Sequence, residues 1–390
     1  MLQSAKITLF ASCVDVVVDL DRHLTCLVGK NGAGKSNILK AIFWAARCGS
    51  AAELPQGRQF GQAMDTQISF RLGNDHYRYH VEFDPFATNG FQLNESLHRA
   101  DTGEILFQRT NDRLQAHLVG PGTINVSRLI PSIYVIMSMF SPESVGVAKL
   151  RPVRDFLAGV GYYPMEERSE APKPFVEEAE YLSWKQRYQV GESISDSVAF
   201  RILYLKTEKS EVYNELTSLL GENGLNLINS IVIQEVDVPV TSAPVSDPGS
   251  KTKKLYFFQF FPSDQMGGSG NGFDYNRLSS GTKRVIRMLV SLLFDQRSVM
   301  LVEQPEDSIH SGLLQKVVDI FRSYSFRTQV IFATHSPAVL NMLTPTETVF
   351  VHAKDGVTSV HALSEPETAI AKRFLAEEGS LSDFIEAIEQ

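Results

Sequence analysis

The feature that most constrains this chain is a glycine-rich loop set between an apolar strand and a helix. Residues 29–36 read Gly-Lys-Asn-Gly-Ala-Gly-Lys-Ser, which matches the pattern G-x-x-x-x-G-K-[ST]. The apolar run Leu24–Val28 precedes the loop, and residues 37–47 place apolar side chains at helical spacing after it. Small residues let successive backbone N–H groups curl around phosphate oxygens, and the helix N-terminus adds a favourable dipole. The segment is therefore predicted to bind nucleotide phosphates.

Two residues of this loop have distinct chemical roles. We expect Lys35 to reach the β- and γ-phosphates and the Ser36 hydroxyl to bind Mg²⁺, so ATP and Mg²⁺ are the expected cofactors. The alternative is a glycine-rich strand-to-helix turn that carries Lys-Ser by chance, and the flanking strand and helix argue against it. The predicted nucleotide-binding residues are Gly29, Lys30, Asn31, Gly32, Ala33, Gly34, Lys35 and Ser36.

A second apolar run ends abruptly in acidic residues. Residues 299–302 are followed by Glu-Gln-Pro-Glu at positions 303–306. A carboxylate at the end of a strand beside the phosphate loop is how such folds hold Mg²⁺, which makes Glu303 a candidate metal ligand together with Ser36. A strand that ends in a solvated polar turn would give the same pattern, so the interpretation depends on the order of the motifs along the chain.

Two further stretches complete a set of four motifs. Residues 277–284 read Arg-Leu-Ser-Ser-Gly-Thr-Lys-Arg and precede a helical apolar pattern. Small hydroxyl residues and glycine at a helix N-terminus can bind an anion or simply cap the helix. The apolar run 330–332 is followed by Ala-Thr-His-Ser, which puts His335 at a strand end. Taken alone, that histidine fits a structural hydrogen-bonding role better than a catalytic one.

The distribution of patterns predicts an α/β fold made from the two ends of the chain. Three strand-like runs between residues 66 and 108 predict an antiparallel β-layer, and residues 142–230 are mainly helical in pattern. Residues 241–252 have a linker composition, and the glycines at 267–272 predict a flexible stretch. The predicted domains are an N-terminal half of the core (1–140), a mainly helical insertion (141–250), a C-terminal half of the core (251–363) and a helical tail (364–390).

Composition excludes several classes of protein. Lys and Arg total 37 against 45 Asp and Glu, a net charge of −8, which argues against coating nucleic acid by overall charge and leaves a weak local candidate at residues 251–254. Three cysteines without regular spacing fit neither a disulfide framework nor a zinc site. No apolar run approaches the roughly 18 residues that a membrane span needs. We expect a cytoplasmic protein that does not enter the membrane.

In order and spacing, the four motifs together resemble those of the ABC-class ATPases. The loop at 29–36 is similar to Walker A, Leu-Ser-Ser-Gly-Thr-Lys-Arg to the signature motif, Leu-Val-Glu-Gln-Pro-Glu-Asp to Walker B, and Ala-Thr-His-Ser to the switch histidine. Pro-Glu-x-x-Ile-His and Leu-Ser-Ser-Gly-x-x-Arg more narrowly resemble the SMC/RecF/OLD-like group of bacterial DNA repair and anti-phage defence, with its AAA-21 and AAA-15 families. The resemblance covers about residues 1–47 and 275–352. It implies a P-loop ABC-type ATPase head with an added antiparallel β-layer and a helical insertion.

The resemblance also implies a site shared between two molecules. In the family two heads pair head-to-tail, so that the phosphate loop of one faces the signature of the other across ATP. A homodimer or a higher oligomer is therefore expected, and His335 would sense the γ-phosphate. The signature residues expected to act in trans are Leu278, Ser279, Ser280, Gly281 and Thr282.

One position departs from the family pattern. The residue after the Walker B acid is usually a glutamate taken to activate water, and here it is Gln304. An amide cannot accept a proton at neutral pH, although a glutamine can orient a water. We therefore expect slow hydrolysis, with ATP mainly holding a dimer together. The candidate catalytic residues are Gln304, Glu306 and His335.

Two functions fit these expectations. The first is an ATPase subunit of an anti-phage or DNA-repair assembly that regulates a separately encoded effector, a nuclease or toxin. The 27 residues after position 363 are too few for the nuclease domain that OLD-family enzymes carry. The second is an SMC/RecF-like clamp on DNA, with the helical insertion as a short arm. A transporter subunit fits poorly, because some 245 residues separate Lys35 from Ser280.

Overall fold

Two compact units make up the part of the chain that the computed structural model describes. The described residues are 1–52, 54, 62–87, 91–120, 122–164, 175–189, 197–239, 252–263, 272–377 and 379–384. The first unit comprises Met1–Met165, Arg297–Glu306 and Val318–Gln390. The second comprises Glu166–Gln296 and Asp307–Val317. Segments far apart in the sequence therefore build each unit.

Strands dominate the first 125 residues, whereas helices and strands alternate after residue 280. The strands are β1 (Leu2–Phe10), β2 (Cys13–Asp19), β3 (Leu24–Val28), β4 (Met64–Leu72), β5 (Asp75–Asp84), β6 (Gln92–Arg99), β7 (Glu104–Thr110), β8 (Arg113–Gln115), β9 (Thr123–Asn125), β10 (Val160–Tyr163), β11 (Phe175–Glu177), β12 (Ile228–Pro239), β13 (Thr252–Pro262), β14 (Val299–Glu303), β15 (Gln329–Thr334), β16 (Thr348–Lys354) and β17 (Val357–Ala362). The α-helices are α1 (Lys35–Ser50), α2 (Ser132–Met139), α3 (Val145–Ala158), α4 (Glu178–Gln189), α5 (Val198–Glu208), α6 (Ser210–Leu220), α7 (Ser280–Phe294), α8 (Ser311–Tyr324), α9 (Pro337–Leu340) and α10 (Glu365–Glu377).

A single mixed sheet forms the frame of the first unit. In the described residues its strand order is β10-β14-β15-β3-β16-β17-β2-β1-β4-β5-β6-β7-β8-β9. The strands from β10 to β16 in this order pair in parallel. Every residue of β3 and β15 is buried, as expected for parallel strands covered on both faces. The predicted α/β fold class is thus confirmed.

The predicted antiparallel strands extend this sheet. The strand-like runs predicted at 66–72, 76–83 and 104–108 are β4, β5 and β7, and β4 pairs with β1. β6 was not predicted, because its sequence Gln-Leu-Asn-Glu-Ser-Leu-His-Arg lacks β-branched residues. Its side chains nevertheless alternate between buried and half-buried positions, and pairing with both β5 and β7 secures it.

The expectation of a mainly helical insertion over 141–250 differs from the structure at both ends. β10 pairs with β14 at one end of the main sheet, so residues 145–163 belong to the first unit. Residues 228–239, whose first part continued the helical pattern, form strand β12, which pairs along its length with β13. The helix before it ends at Leu220, because the glycine-containing turn that follows leads the chain back into the three-stranded sheet β11-β13-β12.

The C-terminal tail packs within the first unit. Ala371 on α10 is fully buried, and Phe384 lies 5.6 Å from Phe374, ring centre to ring centre. Of the predicted linker at 241–252, residues 241–251 lie outside the described residues, as do the glycines at 267, 268 and 270. Across the described helices, none combines the length and the apolar character required to cross a bilayer.

Candidate active site

Three neighbouring parallel strands end at one edge of the main sheet. In their register Glu303 at the end of β14 pairs with Ala333, and Thr334 at the end of β15 pairs with Val28, the last residue of β3. Because the carboxyl ends of parallel strands form the crevice in which such folds bind ligands, the glycine-rich loop after β3 meets the acidic end of β14 there. The glycine-rich loop and the acidic strand end predicted from the sequence are thus brought together in the first unit.

The loop needs glycine at three positions for two different reasons. Gly32 and Gly34 have φ angles of +81° and +103°, in the left-handed region that side chains disfavour. At Gly29 a Cβ atom would lie 2.0 Å from the carbonyl oxygen of Val351, so the close approach of two backbones excludes a side chain. The Gly29 N–H also donates to the carbonyl of Thr334 at 3.3 Å, which ties the loop to β15.

Lys35 is the first residue of α1, and its side chain folds back over the loop. It is 7% exposed, and its Nζ donates to the carbonyls of Gly29 at 2.6 Å and Lys30 at 2.9 Å. Burial lowers the pKa of Lys35, while the carboxylates of Glu306 and Glu303 act in the opposite direction. A bound phosphate would supply the negative charge that this partly desolvated ammonium group lacks.

A polar cleft of about 330 Å³ opens beside the loop. It is lined by Asn31, Gly32, Gly34, Lys35, Ser36, Asn37, Glu303, Gln304 and Ala333. Of the predicted loop residues, Gly29, Lys30 and Ala33 do not line the cleft. Lys30 is exposed, and Ala33 is buried. Asn37 and Ala333 were not among the predicted site residues, although Asn37 directly follows the Lys-Ser pair in the first turn of the helix.

Two carboxylate oxygens near the loop are buried and have no hydrogen-bond partner among the described residues. They are Oε1 of Glu303 and Oε2 of Glu306. The described residues contain no cluster of three or more His, Cys, Asp or Glu side chains that would hold a metal alone. That donor set suits Mg²⁺, which is usually held by one or two carboxylates together with substrate phosphates. The predicted ligands Glu303 and Ser36 both face the cleft and fit this ion.

Glu306 is held in place by the end of β15. The Thr334 hydroxyl donates to Glu306 Oε1 at 2.5 Å and accepts the N–H of Ser336 at 3.0 Å, so its orientation is determined. Nδ1 of His335 lies 3.8 Å from the same carboxylate oxygen, and its ring is 40% exposed. The predicted Glu306 and His335 therefore lie together, and Thr334, which was not among the predicted site residues, holds the carboxylate of Glu306.

Gln304 occupies a strained position directly after Glu303. Its φ angle is +45°, a conformation that costs about 1–3 kcal/mol for a residue other than glycine. Its N–H donates to the carbonyl of Ala333 at 2.8 Å, and this bond holds the turn against β15. The side chain faces the cleft. Such strain is concentrated at functional sites, which agrees with a role for this position next to the phosphate loop.

The predicted signature residues surround the start of α7 in the second unit. Ser279 caps the helix, because its Oγ accepts the N–H of Thr282 at 3.1 Å. Leu278 is buried and Ser280 is exposed. A Cβ on Gly281 would lie 2.2 Å from a backbone carbonyl oxygen of the segment before α8, so only glycine fits. This helix start is therefore tightly built, with its first residue open to solvent.

Two family models match separate parts of the chain. The model described as "AAA domain, putative AbiEii toxin, Type IV TA system" matches residues 172–341, and a second, described as "AAA domain", matches residues 6–128. They cover the signature and Walker B motifs and the phosphate loop, respectively. Together with the four motifs, the two models support an SMC/RecF-like ABC-class ATPase.

A curated relative of this ATPase is similar over part of the chain. It is the chromosome partition protein Smc of Fusobacterium nucleatum subsp. nucleatum, 27% identical over 178 residues. The match covers 39% of this chain and 14% of the Smc protein. The ATPase therefore aligns with only a small part of that longer protein.

Solved structures of SMC heads are also similar to this ATPase. The SMC head bound to the C-winged helix domain of ScpA has a TM-score of 0.48 at 14% identity, over 95% of this chain and 99% of that one. The SMC head of Thermotoga maritima scores 0.42 at 14% identity, over 93% and 99%. The Pyrococcus furiosus head with an extended coiled coil, bound to the C-terminal domain of ScpA, scores 0.45 at 14% identity, over 96% and 99%. Because these TM-scores are below 0.5, the family assignment rests on the family models and the motifs.

Proposed function

We propose that this ATPase binds ATP with Mg²⁺ at the phosphate loop and that ATP joins two copies head-to-tail. The observation that carries the proposal is the cleft in which Lys35 and Ser36 face Glu303 across the carboxyl ends of β3, β14 and β15. Mg²⁺ bound by Ser36, Glu303 and the phosphates would neutralise charge on the triphosphate. The exposed, capped start of α7 in a second copy is the surface that would meet the γ-phosphate.

We further propose that hydrolysis is slow, so that ATP acts as a clamp. The Gln304 amide at the cleft can orient a water molecule but cannot take its proton. Glu306 is the carboxylate that could accept a proton, and Thr334 and His335 both contact its Oε1. Since Gln304 and Glu306 would divide a task that one glutamate usually performs, turnover is expected to be low.

Single-turnover hydrolysis of wild type, Gln304→Glu and Glu306→Gln tests this division of roles. We expect Gln304→Glu to raise the rate at least about tenfold and Glu306→Gln to lower it about 10²-fold, the contribution of a positioned general base. Lys35→Ala serves as the variant without phosphate binding. A fast wild-type rate that Gln304→Glu leaves unimproved would refute the slow clamp.

A further variant, Ser280→Arg, tests the pairing of two copies. Sedimentation velocity with and without ATP should show an ATP-dependent dimer for wild type, which Ser280→Arg should abolish while leaving nucleotide binding to the isolated molecule intact. Ser280 is exposed at the first position of α7, so this substitution places a bulky cation at the proposed contact without disturbing a core. A wild-type protein that stays monomeric with saturating ATP would remove the support for a shared site.

For the cellular role we propose a cytoplasmic ATPase subunit that regulates a separately encoded effector, a nuclease or toxin, in anti-phage defence. The supporting observation is the description of the family model matching residues 172–341, which names a toxin of a type IV toxin–antitoxin system. Purification with the products of neighbouring genes, followed by mass spectrometry, tests this role. Recovery of this ATPase alone would count against it.

A clamp on DNA is the second candidate, favoured by the similarity to Smc. It predicts ATP-dependent DNA binding that falls steeply with salt. The lysine group at 251–254 lends it little support: Lys253 lies 3.3 Å from Glu177 and Lys254 3.3 Å from Glu235, while residue 251 is outside the described residues. Binding of duplex DNA by wild type, lost in Lys35→Ala, would favour this candidate over an effector subunit.

A further inference from the structure

We propose that Thr358, on β17, is a positioning residue for phosphate binding. By its hydrogen bond to Ala33 it would hold the phosphate loop in the conformation that receives the nucleotide. Its Oγ1 donates to the carbonyl oxygen of Ala33 at 3.0 Å, across more than 300 positions of sequence. Thr358 and Ala33 are 2% and 3% exposed, so solvent does not compete for this bond. The inference rests on the proposed binding of ATP and adds a residue to that site.

The planarity of the peptide bond explains why a bond to a carbonyl matters for the cleft. In a trans peptide the C=O of Ala33 and the N–H of Gly34 belong to one plane and point in opposite directions. A hydroxyl that holds the Ala33 oxygen toward β17 therefore directs the Gly34 N–H away from β17. Gly34 itself lines the cleft. Its φ of +103° lies outside the ordinary backbone regions, so backbone preference alone does not fix the orientation of this peptide.

Thr358 is in turn oriented by a chain of hydrogen bonds that returns to the cleft. Its Oγ1 lies 2.7 Å from Oγ of Ser12, in the turn between β1 and β2. Asn37 donates from Nδ2 to Ser12 Oγ at 2.8 Å. Because Thr358 uses its proton on Ala33, Ser12 must donate to Thr358 and accept from Asn37. All three hydrogen bonds therefore donate in the same direction, from Asn37 through Ser12 and Thr358 to the carbonyl of Ala33. Hydrogen bonds in such a chain polarise and strengthen one another.

The loop packs tightly against the hydroxyls of Thr358 and Ser12. A Cβ on Gly34 would lie 2.0 Å from Thr358 Oγ1 and 3.0 Å from Ser12 Oγ, so the loop rests directly on these two hydroxyls. A valine at position 358 would keep the shape of threonine but leave the buried carbonyl of Ala33 without its donor. A serine would retain the donor and lose a methyl group.

Titration with a fluorescent ATP analogue tests the proposal on wild type, Thr358→Val and Thr358→Ser. We expect Thr358→Val to weaken affinity about tenfold, the effect of one lost hydrogen bond to a buried group, and Thr358→Ser to stay within about threefold of wild type. The midpoint of thermal unfolding without nucleotide is measured in parallel. A merely structural role would lower that midpoint in the valine variant and leave its affinity for ATP unchanged.

The outcomes separate this inference from the function on which it rests. If wild type binds no ATP, the proposed function fails. If wild type binds ATP and Thr358→Val binds it within twofold, the positioning role is refuted. Should Thr358→Val fail to fold, Ser12→Ala replaces it, because this change removes the donor to Thr358 at the half-buried turn. A Ser12→Ala protein that folds and binds ATP with wild-type affinity would likewise overturn the proposal.

Discussion

Replacing Arg109 by methionine should destabilise the first unit more than replacing its partner Glu95 by glutamine. Both side chains are fully buried, and Arg109 Nη1 lies 3.2 Å from Glu95 Oε2. Arg109 also donates to the backbone carbonyls of Asn111 at 2.6 Å, Ile130 at 2.6 Å and Ser127 at 2.8 Å. One guanidinium thus joins β7 to the segment that leads into α2.

The contacts of each partner set the expected magnitudes. Without Arg109, the Glu95 carboxylate keeps the Tyr79 hydroxyl and both donors of Ser132, but its charge is uncompensated and three carbonyls lose their donor. Breaking a buried ion pair in this way costs about 3–5 kcal/mol. Glu95→Gln retains an acceptor oxygen, so we expect about 2–3 kcal/mol. The loss in free energy of unfolding should be about 1–3 kcal/mol smaller in the double variant than the sum of the two single losses. The reason is that neither change then leaves the other partner's charge buried without compensation.

The two tryptophans of the chain make the assay specific. Trp44 lies on α1 in the first unit and Trp184 on α4 in the second. In a Trp184→Phe background, urea unfolding followed by Trp44 fluorescence reports the first unit alone. Strictly additive costs in the double variant would refute the coupling. Tyr79, which donates to Glu95, also lies close to α1, because a Cβ on Gly49 would lie 3.1 Å from its ring.

Two further predictions concern polar groups that join distant segments. Burial alone would raise the pKa of Glu347, but hydrogen bonds from Arg322 and from the Thr344 N–H outweigh it, and the pKa is lowered. This carboxylate therefore stabilises the fold above its unfolded pKa, and its contribution is lost as pH falls through the folded pKa. In Glu347→Gln the melting temperature should fall less steeply than in wild type as the pH decreases below about 4.5. The same pH dependence in both proteins would contradict this. Gln329 donates from Nε2 to the carbonyls of Leu2 and Leu20, at 2.9 and 2.7 Å. Gln329→Glu should cost about 2–4 kcal/mol in the same urea assay, with Gln329→Met as the uncharged control, because a carboxylate would face those oxygens. Equal stability of the glutamate and methionine variants would show that charge is not the cause.

The conformation of the glycine-rich loop could be predicted from the sequence because it is local. A tight turn requires glycine at Gly32 and Gly34 whatever surrounds it, and a short apolar run between turn residues predicts a buried strand. β3 accordingly has the predicted bounds, and β14 and β15 contain the predicted runs 299–302 and 330–332. The α/β class followed from where these runs stand in the chain.

Other features depend on residues far along the chain, and no local sequence pattern predicts them. β6 carries a buried glutamate that is tolerated only because Arg109 on the next strand neutralises it. Residues 228–239 become a strand because β13 pairs with them, although part of the segment has a helical period. The hydroxyl of Thr358 looks like any polar side chain on a hairpin until the fold sets it against Ala33. A buried polar group is stable only when its hydrogen bonds are satisfied, and which distant residue satisfies them is a property of the folded chain.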